Sequence, residues 1–144
     1  MNYVEASRAL QVYLNDNWSA TPLAFTNVDG RQWATVGQPI LPEGDVDYVT
    51  LRTHIPSSAF ITVPGTCRRY FGTIFLAVAV RKGTGTRAME TYISSLIELL
   101  EGKTLSATEG ELRVWTLTGN AEYEINDWFV NEIAFGFSFE RFVA

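Results

Sequence analysis

An α+β fold is predicted: a mostly antiparallel or mixed β-sheet packed by two α-helices in a single domain. Three observations predict it. Apolar residues recur at helical spacing over 2–17 and again over 87–101, whereas the long segments over 68–82 and 129–140 alternate with a period of two. The chain has 144 residues, 47% of them hydrophobic, with 9 Phe, 6 Tyr and 4 Trp, which suits one core and hardly two. The mixture rules out a disordered tail or a fibrous repeat.

The first helix is predicted over 2–17. Asn2 and Glu5 have the spacing of a capping box, and Val4, Leu10, Tyr13, Leu14 and Trp18 define one apolar side. Asn15, Asp16 and Asn17 mark its exit. Pro22 forces extension, so Leu23-Ala24-Phe25 is expected as a short strand. The stretch 26–47 holds Gly30, Gly37, Pro39, Pro42 and Gly44, with Trp33 in its middle, and is expected as a long irregular loop.

From Tyr48 the period becomes two. Val49, Leu51, Thr53 and Ile55 point one way, and Tyr48, Thr50, Arg52 and His54 the other, until Pro56 is expected to end the run. A second short strand over 59–63 is closed by Pro64-Gly65. The strand over 68–82 is apolar on both faces: Tyr70, Ile74, Leu76, Val78 and Val80 on one, Phe71, Phe75, Ala77 and Ala79 on the other. Such a strand is central and covered on both sides. With two helices available for one side, a neighbouring subunit is the simplest cover for the other.

Gly83-Thr84-Gly85 breaks that strand, and a second helix follows over 87–101 with Thr86 as its cap. Met89, Ile93, Leu96, Ile97 and Leu100 form the stripe of a helix lying on a sheet, and Gly102 stops it. A strand over 112–117 is expected to close at Gly119-Asn120. In the last segment Phe129, Ile133, Phe135, Phe137 and Phe139 share a buried face, interrupted only by Asn131; Val130, Glu132, Ala134, Gly136, Ser138 and Glu140 share a wet or small-residue face.

Nothing in the pattern argues for catalysis, and no cofactor or metal is expected. The single Cys67 and single His54 exclude an internal disulfide and a Cys/His zinc site. Arg68 and Arg69 follow Cys67 directly, but a nucleophile needs an oriented base, which His54 in another strand does not provide. Gly83, Gly85 and Ala88 match a dinucleotide fingerprint. The short chain, the antiparallel alternation and the lack of an acidic residue over 104–106 make it a plain strand-to-helix turn. Glu43, Asp45 and Asp47 alternate with Gly44 and Val46 without the ligand spacing of a calcium loop, and are expected as a solvated acidic loop.

Charge and hydropathy exclude further classes. With 11 basic and 16 acidic residues the net charge is -5, so duplex binding has no electrostatic footprint. The longest apolar run, Ile74 to Val80, falls far short of the ~20 residues that span a membrane, and no secretory leader is expected at the N-terminus. Basic residues gather at Arg68, Arg69, Arg81, Lys82 and Arg87, acidic ones at Glu43, Asp45, Asp47, Glu122, Glu124 and Asp127. Opposite patches on one surface suit a head-to-tail contact between copies.

Several segments resemble the tail terminator-like proteins of long-tailed bacteriophages. Thr21-Pro22-Leu23-Ala24-Phe25-Thr26-Asn27-Val28 and Tyr48-Val49-Thr50-Leu51-Arg52 are similar to that family's opening. Arg69-Tyr70-Phe71-Gly72-Thr73-Ile74, the Gly83-Thr84-Gly85 break and the amphipathic helix ending Leu100-Glu101-Gly102 are similar to its middle. The resemblance covers nearly the whole chain and rests on order and spacing; the stretch 29–46 is longer than the family pattern. It implies a structural virion protein at the head-proximal end of the tail, assembled in the host cytoplasm. That protein would form a homo-hexameric ring that caps the tail tube, stops its growth and offers the surface for head joining. Implied partners are other copies of itself, the major tail tube protein, the head-completion or stopper protein and the tape measure protein; genomic DNA passes the lumen without specific binding. Arg52, Arg68, Arg69, Arg81, Lys82, Arg87, Glu43, Asp45, Asp47 and Trp33 are the expected subunit or tube interface. A head-side stopper protein, or a small-ligand-binding protein using the Phe-rich sheet as a pocket floor, are the alternatives.

Overall fold

The computed structural model describes residues 3–25, 33–35, 38–39, 47–60, 67–83, 85–107, 110–125 and 127–142. Helix α1 spans Tyr3–Asn17 and α2 spans Arg87–Leu100. The strands are β1 (Leu23–Phe25), β2 (Trp33–Thr35), β3 (Gln38–Pro39), β4 (Tyr48–Phe60), β5 (Cys67–Arg81), β6 (Thr104–Ala107), β7 (Gly110–Ile125) and β8 (Trp128–Phe142). One six-stranded sheet runs in the order β1-β4-β5-β8-β7-β6. Only β1 is parallel to its neighbour; the remaining pairs are antiparallel. The predicted α+β class is the observed one.

Both helices pack on one face of the sheet. Their buried residues, Ala6, Leu10 and Leu14 on α1 and Met89, Leu96 and Leu100 on α2, meet Val49, Leu51, Ile74, Leu76, Val78, Ile133, Phe135 and Phe137 in one core. Those sheet residues are the period-two set that the sequence places on one side. Val4 does not join them and is 72% exposed. Six residues before Leu10, it sits about 120° round the helix from the buried line. The Tyr13 hydroxyl donates to the Leu99 carbonyl at 2.8 Å, and the Trp18 ring meets Tyr92 edge to face at 6.2 Å, so the C-terminal end of α1 and the Trp18 that follows it are tied to both halves of α2.

Glycines mark the chain's turns on either side of α2. Gly83, Gly85 and Gly102 have φ of 83°, 86° and 74°, the left-handed region in which a Cβ is strained. Thr86 stands at the N-cap of α2, but its backbone is helical and its side chain makes no capping bond, which corrects the predicted cap. Pro56 does not end β4, which continues to Phe60 past an irregularity between His54 and Ser57. The register explains it: β1 pairs with β4 only at Val49, Thr50 and Leu51, and the β4–β5 pairing skips Ile55 and Pro56 at the irregularity, so the proline sits at a bulge on the open side of β4. Likewise Gly119-Asn120 is no turn. β7 runs through it to Ile125, and the register shifts on either side of Leu117 absorb the glycine as a bulge. β6 was not predicted, and the expected loop over 26–47 contains the small β2–β3 ladder.

Candidate interaction surface

The face of the sheet opposite the helices carries Arg52, Arg69 and Arg81 of the expected charges, and the ladder decides what each one meets. At one end, Tyr48, Ala79, Val130 and Tyr123 lie in one row across four strands, and with Ala77 and Trp128 they form a second small core. Ala77 and Ala79 are 2% and 3% exposed beneath these rings. Cover over this part of β5 therefore comes from the same chain, which corrects the expectation of a neighbouring subunit there.

Beyond it lies a charged row. The Arg52 guanidinium sits 4.0 Å over the Phe75 ring and 3.5 Å from a Glu132 carboxylate oxygen. Burial pushes the Glu132 carboxyl above the usual carboxylate range, an effect that Arg52 opposes by charge and hydrogen bonding. Burial, helped by the negative charge of Glu132, likewise pushes the Tyr123 hydroxyl up to about 12. A raised carboxyl binds its proton more tightly in the folded than in the unfolded chain. Its contribution thus favours folding below the ordinary carboxylate value and is lost as the pH rises through the raised one. Glu132→Gln keeps the neutral form at every pH. Its urea midpoint should match wild type at about pH 4 and exceed it at about pH 8; the reverse order would contradict this placement of Glu132.

The other expected interface residues are placed as follows. Arg69 donates to Glu140 at 2.6 Å across the β5–β8 ladder. Lys82 lies 3.2 Å from Glu124, and the Arg81 guanidinium is 5.3 Å from the centre of the Trp128 ring. Basic and acidic residues are therefore not segregated at that end: the β7–β8 turn delivers Glu124 and Asp127 beside the end of β5, where the Lys82 amide donates to the Asp127 carbonyl at 2.9 Å. Asp47 accepts a 2.6 Å hydrogen bond from the Tyr92 hydroxyl, which ties α2 to the start of β4 and raises the Tyr92 hydroxyl above its ordinary value. Arg68 is half-buried and Arg87 is exposed at the first residue of α2. Trp33 begins β2 opposite Pro39. Glu43, Asp45 and the predicted Asn2 cap fall outside the described residues.

The third part of this face is open. Its floor is Ala134 and Gly136 on β8, with Ser138 buried at one end beneath Trp115. Phe71, Thr73 and Phe75 of β5 form one wall, in register with that floor. Arg113, Trp115 and Thr118 of β7 form the other: Ser138 pairs with Arg113, and Trp115 and Thr118 both lie 3.8 Å from where a Gly136 Cβ would stand. Phe71 and Trp115 remain 39% and 38% exposed. Trp115 is held in place, since its indole N–H donates to the Ser138 hydroxyl at 2.9 Å and the Arg113 guanidinium covers its ring at 4.1 Å. At the Ser138 end the trough runs into a cleft of about 360 Å³ lined by Arg69, Arg113, Trp115 and Glu140. Sequence reasoning placed Phe71 on this face but missed Arg113 and Trp115; the alternation of Leu112 and Val114 with Arg113 and Trp115 was the available signal.

Among the described residues no group of three His, Cys, Asp or Glu side chains is placed to hold a metal ion, and no helix is long and apolar enough to cross a membrane. β5 is flanked by two antiparallel strands, so the Gly83-x-Gly85 turn leads into no parallel β-α-β crossover.

No protein-family model and no curated protein matches the chain. Solved structures share its fold. One chain, known only by a sequence identifier, has 17% identity and a TM-score of 0.71, with 100% of this chain and 99% of that chain covered. Another belongs to the virion of a native gene transfer agent particle, with 14% identity, a TM-score of 0.62, and 96% of this chain and 93% of that chain covered. The likeness is one of fold along the whole length.

Proposed function

We propose that the chain is a structural protein of a virion, and within that class a tail terminator. The observation that carries the reading is the end-to-end fold likeness to a chain of a gene transfer agent virion. The ordered motifs from Thr21-Pro22 through the Leu100-Glu101-Gly102 helix end support the finer assignment. In this reading copies associate head to tail into a ring, six-membered in the family it resembles. The ring sits on the last layer of the tail tube, stops further addition and presents its other side to the head-completion protein. It catalyses nothing. A net charge of -5 suits a lumen through which DNA slides, because phosphate contacts are what would hold it.

The test is polymerisation of the cognate tail tube protein with and without the chain, followed by electron microscopy. Growth that stops, with a ring on one tube end, is the expected result. Tubes that elongate equally and end bare would overturn the tail reading, and binding to the head-side connector instead would favour a stopper.

A further inference from the structure

We propose that β1 of one copy adds as an antiparallel strand to the free edge of β7 on the next copy, so that the sheets run continuously round the ring. The inference rests on the ring reading above and names the two edges that would join.

β7 is paired on one side only for much of its length. β6 meets its outer side from Gly110 to Arg113. Beyond that, Lys103 accepts from the Val114 amide, Gly102 donates to the Trp115 carbonyl, and the Glu101 carboxylate accepts from the Leu117 amide. Among the described residues no strand lies beside β7 on this side from Thr118 to Ile125. Thr116 through Glu122 are all exposed, so neither face of the sheet is covered there. An uncovered edge of this kind is a template for a strand from another chain.

The ladder points to the occupant. β4 beyond Leu51 is open on its outer side, but the bulge and Pro56 there are devices that block pairing. The outer side of β6 faces α1 across a cleft lined by Arg8, Val12, Thr104 and Ser106. β1 remains, the outermost strand at the other end of the sheet. Through the paired residues of β4, β5 and β8, Leu23 lies in line with Glu122 and Phe25 with Asn120. A closed ring has no rise along its axis, so with the strands along that axis the edges that meet stand at one level. Direction fits as well: β1 is parallel to β4 and therefore antiparallel to β7, the more stable sense of pairing.

The hydrogen-bonding phase agrees. The Val49 amide donates to the Pro22 carbonyl, a parallel pattern that turns the N–H and C=O of Leu23 and Phe25 outward. Ile125 and Trp128, paired with two residues between them, exchange both hydrogen bonds, and the alternation then turns Asn120 and Glu122 away from β8. Leu23 against Glu122 and Phe25 against Asn120 would thus form four backbone hydrogen bonds, and a slip of one residue would lose them. The two edges differ, so the contact is heterologous and propagates until the rotation closes.

The experiment is disulfide trapping in the full chain carrying Cys67→Ser, which leaves introduced thiols as the only ones. In the joint, positions 24 and 121 form a non-hydrogen-bonded pair with Cα atoms about 4.5 Å apart, within disulfide reach. Three strands separate them within one copy. On mild oxidation Ala24→Cys/Ala121→Cys should give a ladder of covalent multimers that ends at the ring size. An equimolar mixture of the two single variants should give covalent dimers and nothing larger. Glu122→Pro removes an outward N–H and leaves the β8 ladder intact, so it should keep the wild-type circular dichroism and sediment as a single chain. Rings without cross-links, dimers from Ala121→Cys alone, or a Glu122→Pro variant that assembles like wild type would overturn this joint while leaving the ring reading in place. A wild-type chain that never associates would overturn both.

Discussion

Phe135→Ala should lower the unfolding free energy by about 3–5 kcal/mol. Phe135 is 0% exposed, on β8 between Ile74 of β5 and Leu117 of β7 in the ladder. β8 is the strand on which the sheet turns, since both long neighbours pair along it. Truncation removes an aromatic ring from beneath the helices. The surrounding backbone is locked by two ladders and cannot collapse into the space, so the cavity term adds to the transfer term. A domain of this size holds about 5–15 kcal/mol in total. The variant should therefore be marginal at 37 °C and show a much lower urea midpoint. A loss below about 1 kcal/mol would mean that Phe135 is not core.

Gly72→Ala is the second large effect, expected at about 3 kcal/mol by overpacking. Gly72 lies on the helical face of β5, in register with Phe137. An added Cβ would stand 2.5 Å from Phe137 Cε1 and 2.6 Å from the His54 carbonyl oxygen. A ring can swing away, but the carbonyl belongs to the β4 ladder and cannot. The double variant Gly72→Ala/Phe137→Leu separates the two contributions: it should recover less than the Gly72→Ala loss, because the backbone contact persists. Full tolerance of Gly72→Ala in a urea titration would contradict the close approach of β4 and β5 at this point.

The parts of the fold that rest on periodicity were readable from the chain alone. The alternation of Phe135, Phe137 and Phe139 with Ala134, Gly136 and Ser138 fixes both the strand and its two faces, and Leu96 with Leu100 fixes the buried side of α2. Pro56 and Gly119 misled because their meaning depends on neighbours. A proline at a bulge interrupts the ladder without ending the strand, and a glycine in a bulge has the composition of one in a turn. The interaction surface was less readable for a related reason. Phe71 and Trp115 face one another only because β8 intervenes in the sheet, and no local spacing announces that. The separation of basic from acidic residues along the sequence suggested two patches, yet antiparallel pairing places Lys82 beside Glu124 and Arg52 beside Glu132.

In the proposed ring, copies of this chain close on themselves around a lumen. Negative-stain electron microscopy of the purified chain, across a concentration series, would reveal that closure. Annular particles of one size with a stain-filled centre, more abundant at higher concentration, are the expected result. A field of single small particles at every concentration, or open filaments that never close, would contradict it.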